Sequence, residues 1–301
     1  MTVLEAYQTA VVKLRASGLD ESEARLSARI LLERGTGTPH AHLKTPQQLL
    51  FEGACPAPWA DGLERLLKGE PLAYICRQRE FFGLAFHCDN RALIPRPETE
   101  MLVEAAIARL QNHSGTPVSG APVSGTLVAD LGTGTGCIAV SVAQAVAQAV
   151  VLATDASADA LQLARENARR HGVAGCVEFV AGDADNWAAP LLREGFGARF
   201  DLLLCNPPYI ATREIETLTP QIRDWEPRPA LDGGEDGLHC YRQLAAQCPA
   251  LLQPGGALLV ELGAGQFEAV RAIFEDSNWT VASPIFDLAG IARVLAATQS
   301  G

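Results

Sequence analysis

The sequence predicts an α/β fold: a doubly wound, mostly parallel sheet of seven strands behind a small N-terminal helical domain. Three observations carry this. From residue 126 onward, continuous apolar runs alternate with helix-period segments, the pattern of strands covered on both faces. Residues 2–69 show helix periodicity alone. The last two apolar runs follow each other with no helix between them, so an antiparallel strand is expected at the sheet edge.

The elements follow in order. "LEAYQTAVVKLRASG" repeats apolar residues at helical spacing and stops at Gly18. "DESEARLSARILLERGTG" opens with Asp20 as an N-cap and ends near Gly35. "TPQQLLFEG" and "PWADGLERLLKG" supply a third and a fourth helix. This first domain, residues 1–70, carries no cofactor signature; a packing module and a partner-recognition surface both fit it. Residues 71–97 form a hairpin linker, in which "AYICRQREFFGLAFHCD" reads as two short strands around a turn. Pro95 and Pro97 stiffen its exit, and Pro97 suits the first turn of the helix that follows.

Residues 98–301 form the domain that carries the chemistry. Residues 111–126 contain the tetrapeptide PVSG twice and read as a flexible surface insertion. Strands are expected at "TLVADL", "AVVLATD", "CVEFVAGD", "FDLLLCN" and "GALLVELG". Helices are expected over 136–149 and at "SADALQLARENARRHG", "LHCYRQLAAQCPALLQPG" and "QFEAVRAIFED". "WTVASPIFDLAGIARVLAAT" supplies two closing strands joined by a turn.

Composition removes several function classes. The 301 residues suffice for two cores. With 24 Lys and Arg against 35 Asp and Glu, the net charge of −11 argues against gripping duplex DNA, whose binding leans on phosphate neutralisation. It suits a small-molecule substrate or a basic protein partner. The opening residues do not read as a signal peptide and no run is long enough to span a bilayer, so a cytoplasmic protein without membrane contact is expected. The 8 cysteines are scattered with no C-x-x-C, which predicts reduced thiols and no metal site.

Two stretches carry the chemistry. "VADLGTGTGCIAV" sets Gly132, Gly134 and Gly136 between a strand and a helix, where glycine allows a tight turn and close backbone approach to a ligand. Alone, this is a weak sign. Asp130 before the loop would repel a pyrophosphate and suit an ammonium group. Asp155 closes the next strand, placed to accept from ribose hydroxyls. Asp183 closes the third, and Trp187 follows with a flat apolar face for an adenine ring. An acid before the loop and an acid for the ribose together fit S-adenosylmethionine.

"FDLLLCNPPY" ends a buried strand at the carboxyl edge of the sheet, where open α/β folds bind ligands. Asn206 and Pro207 each precede a proline and are pushed towards extended conformation. Neither Pro207 nor Pro208 has an N–H to donate. The result is a stiff strip of carbonyl acceptors, to which Asn206 adds its side-chain oxygen. Such a strip fits an –NH₂ group. Accepting both its hydrogens would aim a weak, delocalised nitrogen at a methyl carbon, with Tyr209 packing on the flat substrate.

"DLGTGTG" together with "NPPY" resembles the class I S-adenosylmethionine-dependent amino-methyltransferases. The wider pattern is similar to the HemK/PrmC family, through "GEPLAYICRQREFFGLAFHCDNRALIPRPETEMLVE", "NPPYI", "EPRPALDGGEDGL" and "LLQPGGALLVELG". The resemblance implies methylation of the glutamine in the Gly-Gly-Gln motif of peptide chain release factors; a monomer whose helical domain recognises the substrate is expected. It implies cofactor contacts along Gly132, Thr133, Gly134, Thr135 and Gly136 and at Asp155, Trp187 and Asn206. Asn206, Pro207, Pro208 and Tyr209 would also hold the glutamine. A sister branch that methylates a large-subunit ribosomal protein shares NPPY, and "IPRPETE" favours the release-factor branch. N6-adenine DNA methyltransferases carry similar motifs but no basic target-reading domain is visible here. In the long loop before "LHCYRQ", Asp232, Glu235 and Asp236 could meet a basic partner or form a solvated surface.

Overall fold

Alanines and leucines spaced three and four apart let the first two helices pack closely. In the computed structural model, which describes residues 3–36, 57–112, 125–197 and 199–300, these are α1 (Val3–Ala16) and α2 (Glu21–Thr36). Ala6, Ala10 and Leu14 meet Ala24, Ala28, Leu31 and Leu32, and α3 (Ala57–Leu67) adds Trp59, Leu63 and Leu66 to the same core. Asp20 caps α2 as expected: its Oδ1 accepts from the Glu23 N–H at 2.8 Å. The segment "TPQQLLFEG" lies outside the described residues.

The chain divides into two compact units, Met1–Gln78 with Thr219–Trp225, and Arg79–Leu218 with Glu226–Gly301. Within the first, the structure corrects one strand reading. "AYIC" belongs to a short helix, α4 (Leu72–Cys76), started after Pro71 and closed by Arg77 at φ 50. Tyr and Ile favour strands only where a pleated neighbour exists, and here a proline-initiated turn prevails. The hairpin itself is β1 (Arg79–Phe81) and β2 (Leu84–Phe86), antiparallel, with Phe82 and Gly83 both at positive φ.

Pro97 opens a 3₁₀ turn that runs into α5 (Glu100–Asn112). The insertion bearing the PVSG repeats lies, between 113 and 124, outside the described residues. Beyond it come β3 (Thr126–Leu131), α6 (Cys137–Ala145), β4 (Ala149–Asp155), α7 (Ala158–Arg170) and β5 (Val177–Ala181). Then follow α8 (Ala189–Arg193), β6 (Phe200–Cys205), α9 (Thr212–Ile215), α10 (Pro220–Arg223) and α11 (His239–Gln247). The chain closes with β7 (Leu252–Glu261), α12 (Phe267–Asp276), β8 (Trp279–Val281), β9 (Ile285–Phe286) and β10 (Ala292–Gln299).

The sheet order is β5-β4-β3-β6-β7-β10-β8, with β9 paired to β10 outside that path. Strands β3 to β7 are parallel, and β10 runs antiparallel to both β7 and β8. The seven-stranded path is as expected; the two-residue β9 makes an eighth strand. The antiparallel strand lies inside rather than at the edge. After β7, α12 crosses over and lays β8 parallel to β7 but one place further out, and β10 fills the gap. The direction of winding reverses between β3 and β6, which places the switch point, and the ligand crevice that accompanies one, above these two strands.

Both faces are dry. Leu131, Leu152, Leu203 and Leu258 pack with Phe200, Tyr241, Phe274 and Trp279 in one core. The described cysteines are free thiols, all buried except Cys176. No described helix is long and apolar enough to cross a membrane.

Candidate active site

The carboxyl ends of β3, β4 and β6 open into a cavity of about 450 Å³, a size suited to a nucleoside-bearing ligand. The glycine loop forms its floor. The Gly132 and Thr133 N–H groups both donate to the Thr154 carbonyl, at 2.9 and 2.8 Å, hooking the loop to the end of β4. Gly132 stands at φ +76, and a Cβ there would lie 3.2 Å from Cζ3 of Trp187. Thr133, Gly134 and Thr135 line the cavity beside it.

Asp155 lines the cavity with both carboxylate oxygens held. Its Oδ2 accepts from the Gly134 N–H at 2.8 Å and its Oδ1 from the Ser157 N–H at 2.9 Å. Burial raises its pKa against the pull of these two donors. Asp183 stands beyond the end of β5 and also lines the cavity. Trp187 is fixed twice to α11: its Nε1 donates to Gln243 Oε1 at 2.9 Å and its backbone N–H to Gln247 Oε1 at 2.8 Å. Its ring is therefore presented to the cavity in one orientation.

Two sequence-derived cofactor contacts do not reach the cavity. Asp130 is fully buried beneath the loop. Its Oδ2 accepts from the Thr133 hydroxyl at 2.6 Å and the Ala139 N–H at 3.1 Å, and burial pushes its pKa up to about 7. It braces the turn from inside instead of meeting an ammonium group. Gly136 starts α6 at φ +81, where a Cβ would lie 3.0 Å from the Cβ of Ala164 and 3.2 Å from its Cα. Its glycine is demanded by contact with α7, not by a ligand.

The Asn-Pro-Pro-Tyr strip leaves β6 at the cavity wall, where Asn206 and Pro208 line it. The Asn206 Nδ2 donates to Thr99 Oγ1 at 3.1 Å. Pro207 is buried. Tyr209 does not line the cavity, contrary to the stacking role expected of it. A Cβ on Gly263 would sit 3.0 Å from its Cδ2, and its carbonyl accepts from Gln266 Nε2 at 2.9 Å. Burial pushes its phenol up to about 12. The ring anchors the strip to the turn after β7.

The long loop before α11 buttresses the strip. Ile210 N–H donates to the Leu231 carbonyl at 3.0 Å, and Gly233 N–H returns to the Ile210 carbonyl at 2.8 Å. A Cβ on Gly233 would lie 2.8 Å from the Cα of Tyr209, so only glycine lets the two backbones approach. Two of the three acids in this loop are spent internally. Asp232 accepts from the Thr212 hydroxyl at 2.6 Å and the Gly234 N–H at 3.0 Å. Asp236 pairs with Arg242, whose guanidinium holds its carboxyl down at about 2.

Three functional residues were not legible beforehand as such. Glu226 is buried; its Oε2 accepts from the Ile94 N–H at 3.0 Å and its other oxygen pairs with Arg96. It pins the cavity-lining segment 93–96 in place. Thr99 holds Asn206, and Glu261 lies buried at the end of β7. Glu261 left one sequence signal, since it ends an apolar strand with a carboxylate as Asp130 and Asp155 do.

Residues 5–76 match the family described as PrmC N-terminal domain, and residues 118–222 match the one described as Methyltransferase small domain. The chain is 40% identical over 299 residues to the "Release factor glutamine methyltransferase" of Cereibacter sphaeroides, covering 99% of this chain and 98% of the relative. The Bordetella pertussis protein of the same name is 41% identical over 275 residues, covering 91% and 95%. The chain belongs to the release factor glutamine methyltransferase family.

Solved structures support the fold of this family member. The hMettl16 catalytic domain, in complex with MAT2A 3'UTR hairpin 6, aligns with TM-score 0.53 at 15% identity, covering 80% of this chain and 81% of that one. A methyltransferase from Pyrococcus furiosus aligns with TM-score 0.50 at 16% identity, covering 80% and 100%.

Proposed function

We propose that this methyltransferase moves one methyl group from S-adenosylmethionine to the side-chain nitrogen of the glutamine in the Gly-Gly-Gln motif of peptide chain release factors. The observation that carries this is its 40% identity to a named release factor glutamine methyltransferase over 99% of its own length. The alternatives, a ribosomal-protein glutamine and an adenine in DNA, gain nothing from these relatives. The same reading makes the protein a cytoplasmic monomer that meets a protein substrate without direct nucleic-acid or membrane contact.

The donor set supports the cofactor. Gly132, Thr133, Gly134 and Thr135 would lie under the cofactor, Asp155 would accept from the ribose hydroxyls, and Asp183 and Trp187 would flank the adenine. The lone pairs that Asp155 keeps beyond its two N–H donors are the acceptors a diol needs. When bound, S-adenosylmethionine supplies a methyl group on a sulfonium, which departs as a neutral thioether. The chain's own task is to hold the glutamine nitrogen in line with that methyl. Asn206 Oδ1 and the Pro207 carbonyl accept its two hydrogens, restrain its rotation and stabilise the positive charge growing on it. The nitrogen then gives up to bulk water a proton that its new bond has made acidic. Tyr209 serves the strip rather than the substrate.

A labelled-methyl panel tests the reading. Purified release factor, the ribosomal protein and duplex DNA are each incubated with the enzyme and methyl-labelled cofactor. Label on the release factor alone is the expected outcome; label on either other substrate at equal rate removes the release-factor assignment.

A further inference from the structure

Large apolar side chains exposed singly are ordinary, whereas a cluster of them marks a contact surface. Among the described residues, Val12, Leu26 and Leu192 stand singly on α1, α2 and α8, but Ile285, Phe286 and Leu288 fall within four consecutive positions. Phe286 is 56% exposed and Leu288 110%. The stretch that carries them, "VASPIFDLAGIA" at 281–292, has a single ionisable residue in a chain of net charge −11.

That residue, Asp287, is taken up by the turn. Its Oδ1 accepts from the Ala289 and Ile291 N–H groups, both at 2.9 Å, and its Oδ2 from Arg293 Nε at 2.8 Å. The Asp287 N–H donates to the Ile291 carbonyl and the Gly290 N–H to the Asp287 carbonyl, each at 2.9 Å. A loose loop folds apolar side chains inward. A turn held this firmly keeps them on display, ordered before any partner arrives.

The register places the turn. β10 runs antiparallel to β7, with Val294 opposite Glu261 and the Leu262 N–H donating to the Arg293 carbonyl at 2.8 Å. The residues before Arg293 therefore project beyond the carboxyl edge of the sheet, the edge on which the cavity opens. β9 pairs with the start of β10, on the side away from β7. From the strand of Asn206 the order outward is β6, β7, β10, β9, so at about 4.8 Å per strand the hairpin stands about 14 Å from the acceptor strip. The glycine loop, Asp155 and Asp183 lie the other way, at the ends of β3, β4 and β5.

We propose that the β9–β10 hairpin is a docking surface for the protein substrate, with Ile285, Phe286 and Leu288 covering an apolar patch on the release-factor domain that delivers the glutamine. This rests on the release-factor reading above. Continuity with the acceptor strip selects the occupant. A folded protein that presents its glutamine to Asn206 lies against this rim, and the span of about 14 Å matches the radius of a domain of about 100 residues.

The test compares wild type with the Phe286→Ser/Leu288→Ser double variant on full-length release factor. Leu192→Ser is the exposed apolar control, beside Gly197 before the start of β6. All three positions are exposed, so melting temperatures should match wild type within a few degrees. The double variant should lose about 10- to 100-fold in kcat/KM, all of it through KM, the scale of two apolar side chains removed from a contact. Turnover at saturating factor and cofactor affinity should stay within about threefold, well short of one tenfold step. Leu192→Ser should change none of these. An unchanged KM in the double variant, or a loss confined to kcat, would overturn the surface.

A second arm needs no turnover. With Leu288 replaced by p-benzoylphenylalanine, irradiation beside release factor should give an adduct with the mass of enzyme plus factor, and the same group at Leu192 should give none. An adduct of two enzyme copies, with none to the factor, would overturn the proposal in favour of self-association. If the adduct forms but wild-type enzyme leaves the factor unmethylated, the methyl-transfer reading fails and the surface stands. If the factor is methylated and neither adduct nor KM change is seen, the surface fails and the reading stands.

Discussion

The two halves of the site are built by different means. On the β3–β4 side, recognition comes from backbone and nearby residues. Gly132 and Thr133 hook onto Thr154, Gly134 donates to Asp155, and Asp130 braces the turn from three residues away. On the β6–β7 side, the decisive groups come from distant parts of the chain: Asn206 is held by Thr99, 107 residues away. A glycine loop needs only local chemistry to make a cradle. An acceptor with a fixed direction needs a side-chain network, and networks are assembled by the fold. The first half should therefore tune binding and the second turnover.

The largest expected effect is at the acceptor. Asn206→Ala should lower kcat by about 10²- to 10³-fold, the usual loss for one preorganised charge-stabilising group, while cofactor affinity by calorimetry barely moves. Parallel loss of both would erase the division between halves. Asp155→Ala should do the reverse, weakening cofactor binding by roughly 10- to 100-fold as hydrogen bonds to a charged group are lost, with kcat at saturation much less affected.

Gly136→Ala separates fold from ligand within the first half. The left-handed backbone and the contact with Ala164 should cost about 1–3 kcal/mol of stability, read by denaturant unfolding. The cofactor affinity of the folded fraction should be unchanged, and a specific affinity loss would return Gly136 to the binding site. The smallest effect concerns pH. Asp130 rises from 3.8 and Glu261 from 4.5, each to about 7, so the folded state holds more protons than the unfolded chain between these values. Their contribution to stability is complete below their unfolded pKa values and is lost as pH rises through about 7. The lowered acids, such as Asp236, are fully ionised above pH 5 in both states and add no slope there. The melting temperature should drop by a few degrees between pH 5 and 8, and less in Asp130→Asn; equal slopes in the two proteins would mean Asp130 does not titrate in this window.

How much was legible follows the same division. The strand–helix alternation, the N-cap at Asp20 and the glycine loop rest on short-range patterns and are found where the sequence puts them. The errors are tertiary. Asp130 sits on the inward-facing side of its strand end, so the same carboxylate that looks like a ligand is swallowed by the core. Tyr209 follows two prolines that aim it away from the cavity, towards Gly263. The inserted β10 depends on how α12 packs, which no local window reveals. Thr99 and Glu226 gave no signal because their importance lies in whom they meet: Asn206 for one, Ile94 and Arg96 for the other.

Intact-mass spectrometry of release factor after one round of reaction tests the central claim most directly. Wild-type factor should gain the mass of a single methyl group, and factor with its Gly-Gly-Gln glutamine replaced should gain none. Equal gain on both, or no gain on the wild type, would contradict the account.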